Sequence, residues 1–330
     1  MEVQGEDDPL HGPRIVVIGC GGAGCRLVDS VYCAGIREID TVAVDTDQDN
    51  LARTAAKHRV SIGDSITGGL GAGGFPDIGR RAAEADREEI EGLLSGADIV
   101  FLCAGLGGGT GTGASPVIAR VAKEQGALVI GVVSLPFRVE QARLPTAKAG
   151  LRELLEFTDT LIVLDNEQIF KNDFPLPHLP YVIHPTWRDA ILEIIIDGIV
   201  VPVKSNQFEW DGFREIFSKG GVAALFVGES HSSNVADSIV RSCLSNPSFA
   251  FDRFREVKGT YILVFGETLT QEEVQDIAAG LLKEMPRHID VLYGGRENEK
   301  YRGILRAICV LTGIPCGEVN WEKTRTKGGT

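Results

Sequence analysis

A segment made almost entirely of glycine and threonine, Ala104-Gly-Leu-Gly-Gly-Gly-Thr-Gly-Thr-Gly113, constrains the fold of this chain more than any other feature. It follows the apolar run Asp98–Cys103 and precedes a helical pattern from Ala114 to Gln125. In a turn with so few side chains, backbone N–H groups and threonine hydroxyls can converge on an anion beside the helix N-terminus. The segment therefore predicts a phosphate-binding loop, with a purely structural glycine turn as the alternative. No G-x-x-x-x-G-K-[ST] motif occurs in the chain, so the loop is not of the Walker A type.

The composition is that of a globular protein with a sizeable core. At 330 residues and 43% hydrophobic content, the chain is long enough for one large domain or two. Its formal net charge of −13 argues against nonspecific binding to nucleic acid or to anionic lipid. The 7 cysteines include no C-x-x-C pair, which favours reduced thiols over metal ligands or disulfides. No apolar run reaches the ~20 residues that span a bilayer, and the polar segment Met1–Asp8 does not resemble a signal peptide. We therefore expect a cytoplasmic protein without direct membrane insertion.

Strand-like and helix-like patterns alternate through the first half of the chain. Short apolar runs predict strands at Ile15–Ile18, Thr41–Val44, Asp98–Cys103, Ala127–Val133 and Thr160–Leu164. Amphipathic patterns predict helices near Gly24–Ala34, Ala82–Ser95, Ala114–Gln125 and Ala142–Glu156. This alternation is typical of a parallel sheet covered on both faces, and such sheets bind ligands beyond the C-terminal ends of their strands. The predicted fold class is α/β, with an N-terminal Rossmann-like parallel-sheet domain.

A hydrophobic helix and a smaller second domain follow. The segment Trp187–Val201 is apolar almost all round, which is typical of a helix buried between layers, and we interpret it as a central helix joining two domains. The remaining pattern predicts a smaller C-terminal α+β domain with strands at Val222–Val227, Thr260–Phe265, His288–Leu292 and Ile304–Leu311 and helices at Asn234–Leu244 and Gln271–Met285. We divide the chain into a disordered acidic N-terminus (1–13), the sheet domain (14–184), the connecting helix (185–202), the C-terminal domain (203–322) and a tail (323–330).

The first turn of the sheet domain fits a dinucleotide-binding fingerprint. Gly19-Cys-Gly-Gly-Ala-Gly24 matches G-x-G-x-x-G after a predicted strand, and Asp45 and Asp47 follow the second strand, where such folds keep a ribose-binding acid. An NAD-dependent oxidoreductase is therefore one hypothesis. Two further glycine-rich loops, Gly68–Gly74 and Gly105–Gly113, and the segment Ser134–Phe137 are expected at strand ends as well. Several such loops favour a triphosphate held by backbone amides from several sides over a single pyrophosphate turn.

The set of loops resembles the FtsZ/tubulin superfamily. Gly107-Gly-Gly-Thr-Gly-Thr-Gly113 is similar to the family's signature loop, and Gly19–Gly24, Asp45–Gln48 and Gly71–Arg80 are similar to its first three loops. Pro136-Phe137 with Glu140 resembles the ribose-contacting loop, and Asn166 the base-reading asparagine. The resemblance implies GTP or GDP with Mg²⁺, bound by Gly21, Gly22, Ala23, Asp45, Asp47, Ala72, Gly73, Gly74, Gly105, Gly107, Gly108, Gly109, Thr110, Gly111, Thr112, Gly113, Pro136, Glu140, Arg143, Asn166 and Asp189.

Asn166 and Asp189 are the guanine readers that the resemblance implies. An amide or carboxylate facing N1–H and the exocyclic amine favours guanine because a wrong base leaves a polar group unpaired. The alternatives are a helix-capping role for Asn166 and a helix-start charge for Asp189. The chain departs from the family pattern at Cys25 and Arg26, where asparagines are typical. Arg143 also lies one residue closer to Glu140 in the sequence than its counterpart in FtsZ-type proteins does.

A loop of the second domain carries the acidic residues that the resemblance assigns to hydrolysis. FtsZ-type proteins have N-x-D-x-x-D there and complete the GTPase site on the neighbouring subunit. The corresponding stretch is Asn206-Gln-Phe-Glu-Trp-Asp211, in which Phe208 replaces the middle acid and Glu209 lies one position later. We expect Asp211, with Glu209 and Asn206, to act on the neighbour's nucleotide. Capping of a helix near Gly212 is the alternative role for Asp211.

The resemblance implies a GTP-binding, filament-forming cytoskeletal protein that assembles head to tail and acts in cell division or cell shape. The short segment after the last predicted strand is more similar to archaeal FtsZ-like and CetZ-like branches than to bacterial FtsZ. Further implied partners are other FtsZ-like proteins or a separate membrane adaptor. Because the acidic motif is altered, the alternative is a nucleotide-binding assembly or regulatory module with little or no GTPase activity.

Overall fold

The computed structural model describes residues 12–167, 185–204, 209–231, 235–245, 248 and 256–318. The strands in these ranges form one sheet in the order β3-β2-β1-β4-β5-β6-β7-β10-β8-β9. They are β1 (Ile15–Cys20), β2 (Ile39–Asp45), β3 (His58–Ser61), β4 (Ile99–Gly105), β5 (Leu128–Leu135), β6 (Thr160–Asp165), β7 (Val222–Ser230), β8 (Gly259–Gly266), β9 (Asp290–Glu297) and β10 (Leu305–Ile314). The predicted α/β class is confirmed.

Helices connect the strands of the first half and cover both faces of the sheet. They are α1 (Gly21–Cys33), α2 (Gln48–Ala52), α3 (Asp64–Thr67), α4 (Pro76–Ala85), α5 (Arg87–Leu94), α6 (Thr110–Glu124) and α7 (Leu144–Phe157), with a 3-10 turn at Arg138–Arg143. The second half contains the helices Pro185–Ile195, Val201–Lys204, Trp210–Phe217, Val235–Ser245 and Gln271–Leu282, and 3-10 turns at Glu299–Tyr301 and Cys316–Glu318.

Three of the differences between the structure and the sequence predictions lie in the first half of the chain and have a clear physical reason or consequence. Strand β3 was not predicted, because His58 and Arg59 are exposed at the edge of the sheet and no apolar run marks the segment. The single helix expected at Ala82–Ser95 is two helices that meet at Asp86. Helix α6 begins at Thr110 rather than at Ala114, so the end of the glycine-threonine segment is itself helical.

The parallel strands at the centre of the sheet form the core of the first half. β1, β4 and β5 are buried almost throughout, which explains their continuous apolar sequences. One hydrophobic cluster lies on the side of α6 and α7, and the other lies between the sheet, α1 and the connecting helix. Cys20, Cys25 and Cys103 are buried free thiols within these clusters, and burial raises the pKa of each. They pack as small apolar side chains, as the sequence suggested.

The two halves share the sheet and are joined by the connecting helix Pro185–Ile195, which continues as a π-helical turn, Ile196–Val200. β7 runs parallel to β6, with Leu161 opposite Val222, whereas β10 is antiparallel to both β7 and β8. Side chains of the second half hold the π turn: the Tyr261 hydroxyl donates to the Gly198 carbonyl at 3.0 Å, and Arg296 Nε donates to the Asp197 carbonyl at 2.9 Å. The proposed domain boundaries stay a prediction.

Candidate functional site

A cleft opens at the C-terminal edge of the parallel strands, where β1, β4, β5 and β6 end side by side. Turns that follow these four strands form its wall, so much of the wall is backbone. The lining residues are Gly21, Gly22, Ala23, Arg26, Gly105, Leu106, Gly108, Gly109, Thr110, Gly111, Ser134, Leu135, Pro136, Glu140, Arg143 and Asn166. Twelve of them were expected from the sequence, and the position of the cleft agrees with the general rule for open α/β sheets.

Two helices begin at this cleft without a capping side chain. Helix α1 has Cys20 at its N-cap and α6 has Gly109, and neither residue's side chain accepts a hydrogen bond from the helix. The first N–H groups of both helices therefore need other acceptors, and the positive ends of both helix dipoles lie at the cleft. The two helix starts are close, because a Cβ on Gly21 (φ +70°) would lie 2.9 Å from the Gly111 nitrogen. An anion would meet donors from both helices.

The glycines of the signature segment have different roles. A Cβ on Gly108 would meet no atom within 4 Å, so this residue leaves the cleft open. Gly111 and Gly113 instead allow close packing, because added Cβ atoms would lie 2.4 Å from the Gly105 carbonyl oxygen and 1.9 Å from that of Pro76. Thr112 Oγ1 accepts from the Gly107 N–H at 2.8 Å and so fixes the turn. Gly107, Thr112 and Gly113 do not line the cleft; they shape the loop, and their expected contact with the ligand stays a prediction.

Asp45 and Asp47 also lie outside the cleft wall. Asp45 is buried and its carboxylate accepts from Asn50 Nδ2 at 2.6 Å and from the Thr46 N–H at 2.8 Å. Burial raises the pKa of Asp45, and these donors only partly oppose the shift. Asp47 caps α2 by accepting from the Asn50 N–H at 3.1 Å. Both acids organise the turn after β2 and neither lines the cleft, so their expected contact with a ribose stays a prediction.

The loop that contains Ala72, Gly73 and Gly74 follows helix α3, not a strand as we expected. None of the three residues lines the cleft. The loop packs against residues that adjoin the cleft. A Cβ on Gly109 would lie 2.7 Å from that of Ala72, and the Gly71 N–H donates to the Thr46 carbonyl at 2.9 Å. It therefore supports the start of α6.

Pro136, Glu140 and Arg143 line the side of the cleft that follows β5. The Glu140 carboxylate accepts from the Phe137 N–H at 3.0 Å and from Arg143 Nη1 at 3.2 Å. These bonds fix the 3-10 turn and leave an acidic and a basic group together at the wall.

Ser134 and Leu135, at the end of the same strand, were missed because nothing in their sequence marks them as polar ligands. Arg26 was noted only as a departure from the family pattern, and Leu106 lies within the glycine segment.

Asn166 closes the far end of the cleft and has an unpaired acceptor. It is 3% exposed, and its Nδ2 donates to the Leu135 carbonyl at 3.0 Å. Its Oδ1 is buried without a hydrogen-bond partner among the described residues. A buried acceptor without a partner is costly, and a ligand that donates an N–H there would satisfy it. The contact with Leu135 uses the amide nitrogen, and the residues after Glu167 that the capping alternative involves lie outside the described residues.

Asp189 does not line this cleft. Its carboxylate pairs with Arg188 at 2.8 Å, and it lines a second cavity with Glu193, Asp197 and Lys300. It therefore lies in the wall of a different cavity, and its expected role as a guanine reader stays a prediction.

The acidic residues of the second half are exposed and distant from the cleft. Asn206 lies outside the described residues. Glu209 occupies the N-cap of the helix Trp210–Phe217 and Asp211 lies in its first turn, so Asp211 is not the cap of that helix. The end of this helix contacts the start of β6, where Thr160 Oγ1 donates to the Phe217 carbonyl at 2.6 Å. Asn166 lines the cleft and follows the C-terminal end of β6. The acidic helix and the cleft therefore lie at opposite ends of this strand.

The described residues contain neither a candidate metal cluster nor a membrane-spanning helix. In those parts of the chain, no group of three or more His, Cys, Asp and Glu side chains could hold a metal ion. No helix there is long and apolar enough to cross a membrane.

Two family models match the chain. The GTPase domain of the Tubulin/FtsZ family matches residues 14–173, and the C-terminal domain of the FtsZ family matches residues 221–315. The first range contains every residue that lines the cleft.

Relatives and solved structures are similar over almost the whole chain. Cell division protein FtsZ 2 of Methanocaldococcus jannaschii is 39% identical over 97% of this chain and 85% of its own length. Its counterpart in Halobacterium salinarum is 37% identical over 96% and 81%. An empty FtsZ dimer of M. jannaschii superposes with a TM-score of 0.83 at 34% identity, covering 92% of this chain and 89% of the other. CetZ2 of Haloferax volcanii, solved as a GTPγS-bound protofilament, shares the fold with a TM-score of 0.72 at 24% identity over 90% and 92%.

Proposed function

The chain belongs to the tubulin/FtsZ family of GTPases, and we propose that it binds GTP in the cleft, assembles head to tail into filaments and hydrolyses GTP at a site completed by the next subunit. Such filaments would serve cell division or cell shape. The observation that carries the proposal is the cleft itself, where two uncapped helix starts meet at one end. The buried Oδ1 of Asn166, which has no hydrogen-bond partner among the described residues, lies at the other. A nucleotide has an anionic end and a hydrogen-bonding base that suit these two ends.

Guanine is the base that the Asn166 geometry favours. The side-chain amide donates to Leu135, so its oxygen is the atom left for the ligand. Guanine has an N1–H and an exocyclic amine on one edge, both of which donate. Adenine has an acceptor at N1, so a base in the same pose would place N1 against the Asn166 oxygen and form no N1–H bond with it. The Glu140–Arg143 pair on the neighbouring wall suits the hydroxyl groups of a ribose.

Head-to-tail assembly is supported by the arrangement of exposed apolar residues around the cleft. Leu70 is 87% exposed and Phe75 is 64% exposed in the loop behind Gly109, and Val139 is 89% exposed next to Glu140. Large apolar side chains so exposed near one site are a signature of a protein contact. The acidic helix lies at the opposite edge of the sheet, so stacking copies in one direction brings the acids of one copy to the cleft of the next. The partner that covers these exposed residues at the rim of the cleft (Leu70, Phe75 and Val139) is therefore a second copy of this chain.

Hydrolysis then requires residues from two chains. The cleft binds and orients the phosphates through backbone N–H groups, and Asp211 of the adjoining copy orients a water molecule for in-line attack on the terminal phosphorus. Glu209 lies two residues away on the same exposed turn and adds a second carboxylate. Neither acid lines the cleft of its own chain. An isolated subunit would therefore bind GTP and release phosphate slowly.

Mg²⁺ would bind at this site together with the nucleotide, through its phosphates. The described residues offer no three-ligand cluster, and Asp45 and Asp47 are occupied by the turn after β2. Mg²⁺ commonly keeps several water ligands and binds through substrate phosphates, so such a site needs few protein ligands. The ion would neutralise charge that develops on the phosphates.

A second candidate is an assembly module that binds GTP without turning it over. It is favoured by Phe208 in place of the middle acid of the FtsZ-type loop and by the position of Glu209 at a helix N-cap. Filaments that form with GTP and release no phosphate would identify this candidate. Additional partners, either other FtsZ-like proteins or a membrane adaptor, stay a prediction.

Phosphate release from GTP measured over a range of protein concentrations tests the proposal. If the site forms between subunits, the activity per molecule rises from near zero once the concentration passes a threshold. Constant activity per molecule at all concentrations would show that one subunit is a complete enzyme. Bound GTP without phosphate release at any concentration would favour the assembly module.

A further inference from the structure

A pair of buried threonines links the cleft to the loop behind it. Thr46 follows β2 and is fully buried, and its Oγ1 lies 2.7 Å from Oγ1 of Thr110. Thr110 is the first residue of α6 and lines the cleft, whereas Thr46 does not. Thr46 therefore reaches the ligand site only through the hydroxyl of Thr110.

The hydrogen-bonding capacity of the pair limits what each hydroxyl can do. A threonine hydroxyl has one hydrogen to donate and two lone pairs. If Thr46 donates to Thr110, the hydrogen of Thr110 is left for another acceptor. Phosphate oxygens only accept, so this is the arrangement that a bound nucleotide requires. The buried Asp45 carboxylate is a second nearby acceptor for the same hydroxyl.

The backbone of Thr46 makes a second connection, to the loop that contains Leu70. Its carbonyl accepts from the Gly71 N–H at 2.9 Å, and the Gln48 N–H donates to the Gly69 carbonyl at 3.0 Å. Leu70 lies between these two anchors and is one of the apolar residues at the rim. One residue thus bonds to the loop through its backbone and to the cleft through its side chain.

We propose that Thr46 is a positioning residue, which orients the Thr110 hydroxyl toward the nucleotide phosphates and ties that contact to the subunit-contacting loop at Leu70. The proposal rests on the proposed function, because it assumes a phosphate-bearing nucleotide in the cleft. According to this proposal, Thr46 raises the affinity for the nucleotide although it does not line the cleft.

Calorimetric titration with GTP, at protein concentrations below the assembly threshold, tests the proposal. Thr46→Val keeps the shape and removes the hydroxyl, and it is expected to raise the Kd for GTP by about 5-fold, the effect of one lost hydrogen bond. Thr46→Ser keeps the hydroxyl and restores the wild-type Kd. Because Thr46 acts through Thr110, adding Thr46→Val to Thr110→Val causes no further loss.

The contrary results are distinct. Full additivity of the two valine substitutions, or a wild-type Kd for Thr46→Val, would overturn the positioning role. A general loss of stability would lower the melting temperature of Thr46→Val without producing this non-additivity. If Thr46→Val does not fold, Thr46→Ala in the same cycle gives the same comparison. If the wild-type chain does not bind GTP, the proposed function fails before the role of Thr46 is reached.

Discussion

Asn166 donates its side-chain amide hydrogen to the Leu135 carbonyl at 3.0 Å, and its buried oxygen has no hydrogen-bond partner in the part of the chain that the structure describes. Strands β5 and β6 end side by side, with Leu135 opposite Asp165, so the sheet register itself sets this orientation. The carbonyl at the end of β5 thus binds the amide nitrogen of Asn166 and leaves the amide oxygen for a ligand.

Removal of this amide should reduce the preference for guanine. Asn166→Ala is expected to raise the Kd for GTP by about 10-fold or more, because a hydrogen bond to a buried group is lost. The weak affinity for ATP should change little, since adenine has no donor at N1. Competition titrations with both nucleotides measure the ratio. An equal loss for GTP and ATP would show that Asn166 does not read the base.

Asp211 should be needed for turnover but not for binding. Asp211→Ala is expected to abolish phosphate release while the Kd for GTP stays at the wild-type value, because the carboxylate acts on a nucleotide bound by another chain. Glu89→Ala, which removes an exposed carboxylate from α5, is the matched control and should keep full activity. Unchanged turnover in Asp211→Ala would remove the intersubunit mechanism.

The exposed residues around the cleft should set the assembly threshold. Leu70→Asp and Val139→Asp are each expected to raise the threshold concentration about 10-fold or more, because burial of such side chains contributes roughly 1.5–3 kcal/mol. Their Kd for GTP should not change, since neither residue lines the cleft. Tyr32→Asp, near the end of α1, is a control at a residue of 48% exposure. Light scattering reports the thresholds, and equal thresholds in all variants would argue against this contact.

Two glycines of the signature segment should respond in opposite ways to the same substitution. Gly113→Ala is expected to destabilise the fold by roughly 1–3 kcal/mol, because the added methyl group has no room beside the Pro76 carbonyl. Gly108→Ala should leave the melting temperature unchanged and weaken GTP binding, because its methyl group would enter the open cleft. Thermal unfolding and GTP titration separate the two effects. A loss of stability in Gly108→Ala equal to that in Gly113→Ala would contradict this division.

Asp45 should make stability fall as the pH rises. Burial raises its pKa in the folded chain, so the folded state keeps the proton to a higher pH than the unfolded state does. Its contribution is therefore fully present below the ordinary aspartate pKa and is lost as the pH rises through the raised value. Asp45→Asn is always neutral, and Asn50 can rotate its amide to accept from it.

Urea unfolding of wild type and Asp45→Asn between about pH 4 and pH 7 measures this difference. The free energy of unfolding of the wild type should fall relative to that of the variant as the pH increases. A constant difference across the range would mean that Asp45 has the same proton affinity in both states.

Much of the architecture could be predicted because its signals are local. Continuous apolar runs identified β1, β4, β5 and β6, since strands buried on both faces need apolar residues at every position. Strand β3 could not be found in this way, because an edge strand with exposed His58 and Arg59 has no such run. The pairing of β6 with β7, which joins the two halves, depends on a contact between distant segments that no local pattern records.

The site was predictable where the backbone performs the function. Glycines that line the cleft form a recognisable sequence, and Asn166 was identified by resemblance. Sequence could not separate Gly108, which leaves space for a ligand, from Gly113, which leaves space for α4. Likewise, sequence could not show that Asp45 and Asp47 lie outside the cleft wall, where Asn50 and backbone N–H groups donate hydrogen bonds to them.

Mixing two variants tests most directly whether one active site is built from two chains. Asp211→Ala retains an intact cleft, and Asn166→Ala retains an intact acidic loop but binds GTP weakly. At a GTP concentration that fills only the first variant, neither alone should release phosphate at an appreciable rate. We predict that the mixture does, because Asp211 of one chain meets the nucleotide held by the other. A mixture no more active than the sum of its separate components would contradict a site shared between subunits.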